Sequence, residues 1–176
     1  MISAATRASQ PEARLRLGAL MQFIVAAIGQ RMPGWVQEAW SEYARRFPKP
    51  FSLDLREIPL KKRGRNADID RLREAEGQAL LASVPPGFRI IALDERGKQS
   101  STAELSGQME NWMREERGAC FLVGGPDGLA QECRRQAQQV WSLGRLTLPH
   151  PLVRVILAEQ LYRAWSITQN HPYHRA

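Results

Sequence analysis

Short apolar runs and stretches of helical period alternate along most of this chain. Gln22–Ile28 (QFIVAAI) is a continuous apolar run closed by Gly29, the pattern of a buried strand. Pro33 and Gly34 then open a stretch with Trp35, Val36, Ala39, Trp40, Tyr43 and Phe47 at a spacing near 3.6, stopped by Pro48. Phe51, Leu53 and Leu55 alternate with polar neighbours and predict a second strand. Asp68 to Ser83 reads as a helix with Ile69, Leu72, Ala75, Ala79 and Leu80 on one face, ended by Pro85-Pro86. Arg89–Leu93 predicts a third strand, and Ser101 to Glu104 has capping-box spacing ahead of a helix through Leu105, Met109, Trp112 and Met113. Cys120–Val123 predicts a fourth strand, residues 129–140 a helix, Leu146–Leu148 a short fifth strand, and Pro151 the first turn of a final helix.

Strand and helix thus alternate about five times, the order of an α/β protein with a mostly parallel sheet covered by helices on both faces. No repeat, low-complexity block or long linker divides residues 21–176, which read as one domain. Residues 1–20 differ: they carry three arginines, one acid and no strand-like alternation. They lack the ordered basic and apolar regions of a signal peptide. Their simplest reading is a disordered extension or an upstream start, with Met21 the functional beginning; an Arg-rich presequence is the alternative.

In parallel sheets, ligands bind beyond the carboxyl ends of the strands. Three segments fall there: Leu93 to Lys98, Gly124-Gly125-Pro126-Asp127-Gly128, and Leu143 to His150. The glycine-rich segment can let backbone approach a ligand, although Pro-Asp-Gly is also an ordinary turn. Neither GxGxxG nor GxxxxGK[ST] occurs, which disfavours a dinucleotide fold or a P-loop.

Charge narrows the partner. The 176 residues hold 25 Lys+Arg against 18 Asp+Glu, a net +7, pointing to a polyanion and to nucleic acid first. Lys61, Lys62, Arg63 and Arg65 form a basic loop that could contact phosphates, or be a plain solvated run. Cys120 and Cys133 read as reduced core thiols, and the three histidines lack converging ligands, so no metal site is expected. No apolar run approaches bilayer length, and a cytoplasmic protein without a membrane partner is expected.

Several motifs together resemble a known family. Trp141 to Val155 (WSLGRLTLPHPLVRV), Glu159 to Ala164 (EQLYRA) and Asn170 to Arg175 (NHPYHR) are similar to the bacterial ribosomal RNA large subunit methyltransferase H family. Leu93–Lys98, Val123–Leu129 and Lys62–Ile69 match in the same order, from Met21 to the C-terminus. The resemblance implies a SPOUT-class fold with a C-terminal trefoil knot, a homodimer, and S-adenosylmethionine as methyl donor. It implies methylation of N3 of pseudouridine-1915 in 23S rRNA within the assembled 70S ribosome. It places donor contacts at Leu93, Gly124, Leu143, Gly144, Arg145, Leu146, Thr147 and Leu148. Arg154, Tyr173 and His174 are the candidates for stabilising charge on the target base and for orienting or deprotonating it. Rival readings are a SPOUT enzyme acting on tRNA or a ribose hydroxyl, and a non-catalytic ribosome-associated factor.

Overall fold

Along the first strand, β1 (Met21–Ile28), Phe23, Val25 and Ala27 enter one core while Ile24, Ala26 and Ile28 enter another on the opposite face. A strand apolar on both sides must be central and covered twice, and β1 is. The computed structural model describes residues 21–115 and 117–175; the expectation for residues 1–20 lies outside them. The elements after β1 are α1 (Gly34–Ala44), β2 (Phe51–Ile58), α2 (Ile69–Ala82), β3 (Phe88–Gln99), α3 (Thr102–Glu115), β4 (Gly118–Val123), α4 (Gln131–Gln136), β5 (Gln139–Ser142) and α5 (His150–Thr168), with a short 3₁₀ turn at Pro172–Arg175. The five strands form one sheet in the order β2-β1-β4-β3-β5, every pair parallel.

The helices sort by face. Trp40 of α1, Leu105, Met109 and Trp112 of α3, and Leu157, Leu161 and Trp165 of α5 share one core with the odd-numbered residues of β1 and β4. Leu80 of α2 and Cys133 of α4 share the other with Cys120 and Leu122. Local chemistry sets the helix starts. The Asp68 carboxylate accepts the Arg71 N–H at 3.1 Å, and the capping box forms, with Glu104 N–H on Ser101 Oγ at 3.2 Å and Ser101 N–H on Glu104 Oε2 at 2.7 Å. Trp40 and Trp112 are core residues as their spacing predicts, and Trp165 of α5 is buried with them, whereas Trp35 is half exposed at the start of α1.

Three boundaries differ from the sequence reading. The fifth strand is Gln139–Ser142, not Leu146–Leu148, which lies in irregular backbone with Leu146 80% exposed. The fifth place is won by Trp141, whose ring packs against Trp112 and Phe121 at centroid distances of 5.9 and 5.7 Å. Helix α4 is correspondingly short, six residues ending at Gln136. The third strand is longer than Arg89–Leu93: it leaves the ladder after Leu93 and returns, so Trp141 pairs with both Leu93 and Lys98. Residues 94–97 are therefore a bulge inside one strand.

That bulge explains a glycine. A Cβ on Gly97 would stand 2.3 Å from the carbonyl carbon of Trp141, against backbone that cannot move cheaply. Gly97→Ala is predicted to cost about 1–3 kcal/mol, seen as a lower Tm. The exposed helical Gly107, with nothing near its missing Cβ, supplies the contrast. Gly107→Ala should be neutral or stabilise by up to about 1 kcal/mol. Equal responses from both variants would contradict the bulge geometry.

Candidate active site

Because β4, β3 and β5 are adjacent and parallel, the β3 bulge and the segments that follow β4 and β5 lie side by side. They enclose a cleft of ≈ 630 Å³. Its walls are the β3 bulge from Leu93 to Arg96, the turn from Val123 to Leu129, and the segment from Trp141 to Leu148, with His150 and Val153 of α5 closing one side. Leu93, Gly124, Leu143, Gly144, Leu146, Thr147 and Leu148 all line it, while Arg145 is exposed and outside the lining.

Each wall is fixed by identifiable bonds. Gly125 to Gly128 is a real turn, with Gly128 N–H on the Gly125 carbonyl at 3.0 Å, and it also walls the cleft. A Cβ on Gly124 would meet the Gly128 carbonyl carbon at 2.6 Å, so only glycine lets the turn fold back on the strand end. Ser142 Oγ donates to the Gly144 carbonyl at 2.7 Å and accepts its N–H at 3.3 Å, shaping the third wall. Asp94 is held by Arg134 Nη1 at 2.8 Å, and the same nitrogen donates to the Leu129 carbonyl at 3.1 Å, tying the first wall to the second. The cleft combines backbone polar groups with leucine and valine side chains, the donor set suited to a flat heterocycle carrying a polar tail.

The comparisons with known proteins agree. A family model described as predicted SPOUT methyltransferase matches residues 21–174. The ribosomal RNA large subunit methyltransferase H of Thioalkalivibrio sulfidiphilus (strain HL-EbGR7) is 54% identical over 155 residues, covering 88% of this chain and 99% of that protein. The chain belongs to the SPOUT methyltransferase family. It is a member of the large subunit methyltransferase H group within it. A solved structure of a probable methylase family protein from Haemophilus influenzae Rd KW20 shares the fold at TM-score 0.52 and 9% identity, covering 86% of this chain and 69% of that one.

Within this SPOUT domain the remaining candidates sit apart from the cleft. Arg154 has no exposed surface. Its Nη1 meets Glu57 Oε1 at 2.7 Å, and its Nη2 donates to the Ile28 and Gly29 carbonyls at 3.1 and 2.6 Å. Its guanidinium thus binds α5 to the carboxyl ends of β1 and β2, a positioning role one helical turn from His150. The tail folds back on α5: Tyr173 Oη donates to Glu159 Oε1 at 3.0 Å, and the ring lies 4.8 Å from both the Tyr162 centroid and the Arg163 guanidinium carbon. Glu159 is nine residues from His150, about 14 Å of helix rise, so neither Tyr173 nor His174 lines the cleft of its own chain. Burial, with hydrogen bonds to Tyr43 and Glu159, raises the Tyr173 phenol and keeps it protonated. His174 Nδ1 is engaged by the His171 carbonyl.

The basic loop divides as well. Lys61, Lys62 and Arg65 are exposed, but Arg63 is not available to a phosphate. Its Nε donates to Asp127 at 2.8 Å, Nη1 to the Lys61 carbonyl at 2.8 Å and Glu76 at 3.0 Å, and Nη2 to Glu76 at 3.1 Å with Asp127 2.7 Å away. Sequence reading put Asp94 and His150 in segments that line the cleft, and missed Glu76 and Arg134, which hold those walls in place. Asp94, the partner of Arg134, and Asp127, which shares Arg63 with Glu76, lie inside the very motifs that form the walls. Among the described residues no group of three His, Cys, Asp or Glu could hold a metal, and no helix is long and apolar enough to cross a membrane.

His150 is half-buried in the cleft, and burial first, then the Arg154 charge, lowers its pKa below the usual 6.5. The neutral imidazole contributes stability that is full above pH 6.5 and is lost as the pH falls through its lower folded value. An NMR titration should place its midpoint below 6.5; a midpoint at or above that value would contradict the burial. Arg154→Met should destabilise by about 3–5 kcal/mol in denaturant melts, because Glu57 and two carbonyls lose their partner. A loss under ~1 kcal/mol would contradict its bridging role.

Proposed function

We propose that this chain transfers the methyl group of S-adenosylmethionine to N3 of pseudouridine-1915 of 23S rRNA in the assembled 70S ribosome, as a cytoplasmic homodimer with a knotted C-terminal half. The observation that carries the reading is the single cleft built by Leu93–Arg96, Val123–Leu129 and Trp141–Leu148 in a chain of this family. Its residues fit such a donor. Backbone groups of Leu143–Leu148 could hold an adenine edge, and the Leu93, Leu146, Leu148 and Val153 side chains that line the cleft would supply apolar contact to its ring.

The donor supplies an already activated methyl, so what the protein must add is in-line placement and removal of one imide proton. The methyl leaves sulfur for N3, the N3 proton departs, and S-adenosylhomocysteine remains. Arg154 keeps α5, and with it His150 and Val153, seated against the cleft. The phenol of Tyr173, held protonated by burial and by its hydrogen bonds to Tyr43 and Glu159, orients the base, and His174 takes the proton. A second copy of the chain supplies the tail to the cleft, since its own tail lies along α5. Lys61, Lys62 and Arg65 grip phosphates, and the assembled ribosome supplies the specificity that so small a domain cannot read alone.

Labelled methyl from S-adenosylmethionine should appear on N3-methylpseudouridine when 70S particles lacking the modification are offered. It should not appear with free 23S rRNA, separated subunits or tRNA. Label on tRNA would overturn the substrate, and no transfer with donor bound would favour a non-catalytic factor. Lys62→Ala should raise the KM for ribosomes and lower the salt dependence of binding by about one unit of log–log slope. An unchanged slope would remove Lys62 from the RNA contact.

A further inference from the structure

Arg63 lies in the middle of the basic loop, where phosphate binding is the obvious role, yet its guanidinium is engaged inside the protein by four hydrogen bonds and a further ion-pair contact. Nε donates to Asp127, Nη1 to Glu76 and to the Lys61 carbonyl, and Nη2 to Glu76, with Asp127 2.7 Å from Nη2. The site is built rather than incidental. The Glu76 side chain is 3% exposed, and its Oε1 also accepts the Lys61 N–H at 2.9 Å. A carboxylate so buried needs a fixed cation, and Arg63 supplies it.

The geometry matters because of what Asp127 belongs to. It is the third residue of the Gly125–Gly128 turn that walls the cleft, and a Cβ on Gly125 would lie 3.2 Å from Glu76 Oε2. The turn therefore rests on the Glu76–Arg63 pair, with its exposed side held through Asp127. On the far side of the same turn, Arg134 ties Leu129 to Asp94. We infer that Arg63 is a positioning residue for the methyl-donor site, clamping the glycine-rich turn through Asp127 and Glu76, and not an RNA contact. A planar fork is required, since a lysine in its place has one nitrogen and cannot span two carboxylates and a carbonyl at once.

This inference rests on the donor reading of the cleft, and the test separates the two. Binding of S-adenosylhomocysteine to the full chain would be measured by calorimetry, beside KM for the donor and for ribosomes. Arg63→Lys is expected to weaken S-adenosylhomocysteine binding about tenfold and raise the donor KM likewise, leaving the ribosome KM and kcat at saturation within about twofold. Asp127→Asn, on the partly exposed turn, should move the same constants in the same direction, while Lys62→Ala should raise only the ribosome KM. Thermal melts confirm that each variant is folded, and Asp127→Asn carries the test if Arg63→Lys is not. An Arg63→Lys chain that binds the donor product normally and loses ribosome affinity, as Lys62→Ala does, would overturn the clamp while leaving the donor site standing. Failure of the unsubstituted chain to bind S-adenosylhomocysteine would remove the donor site and the clamp with it.

Discussion

All five strands run in one direction, and the rest of the molecule depends on that. Parallel pairing puts every carboxyl end at one edge of the sheet, and the order β2-β1-β4-β3-β5 makes the ends of β4, β3 and β5 neighbours. The walls there are residues 93–96 at the β3 bulge and the segments 124–129 and 143–148 that follow β4 and β5, separated along the chain but adjoining in space. A cleft forms there without any segment having to travel far. The same pairing demands apolar side chains on both faces of β1 and β4, which is why those strands read as unbroken apolar runs.

Loops at a sheet edge are the part of a fold most free to move, and here they are restrained by arginine. Arg134 joins the β3 bulge to the end of the glycine-rich turn, and Arg63 joins that turn to α2. Arg154 joins α5 to the ends of β1 and β2. Each bond set is between groups partly or wholly removed from water, where a guanidinium with several carboxylate and carbonyl partners holds geometry better than an exposed pair would. These three of the chain's 25 Lys and Arg residues are thus structural. Lys61, Lys62 and Arg65, exposed beside the pinned Arg63, are the portion of that loop left to meet a polyanion.

What the sequence disclosed follows the range over which each feature is determined. Central strands, the capping box at Ser101 and the first turn of α5 at Pro151 are set by neighbours a few residues away, and all are where the pattern places them. The fifth strand is not, because Gln139–Ser142 earns its place through Trp141 meeting Trp112 and Phe121, while Leu146–Leu148 only imitates alternation and lines the cleft. The seven cleft-lining positions expected from the motifs are present because strand ends locate them. Arg63 and Arg154 read as reactive or RNA-facing, since their partners stand far off in sequence: Asp127 is 64 residues from Arg63, and Glu57 is 97 from Arg154. No local pattern carries such pairs.

The central claim is that three separate segments at the carboxyl edge form one methyl-donor site. Hydrogen–deuterium exchange on the full chain, with and without S-adenosylhomocysteine, tests it directly. Slowed exchange concentrated in residues 93–96, 124–129 and 143–148, with α1 unchanged, is the predicted result. Bound ligand that leaves those three segments unprotected, or protects α1 instead, would contradict it.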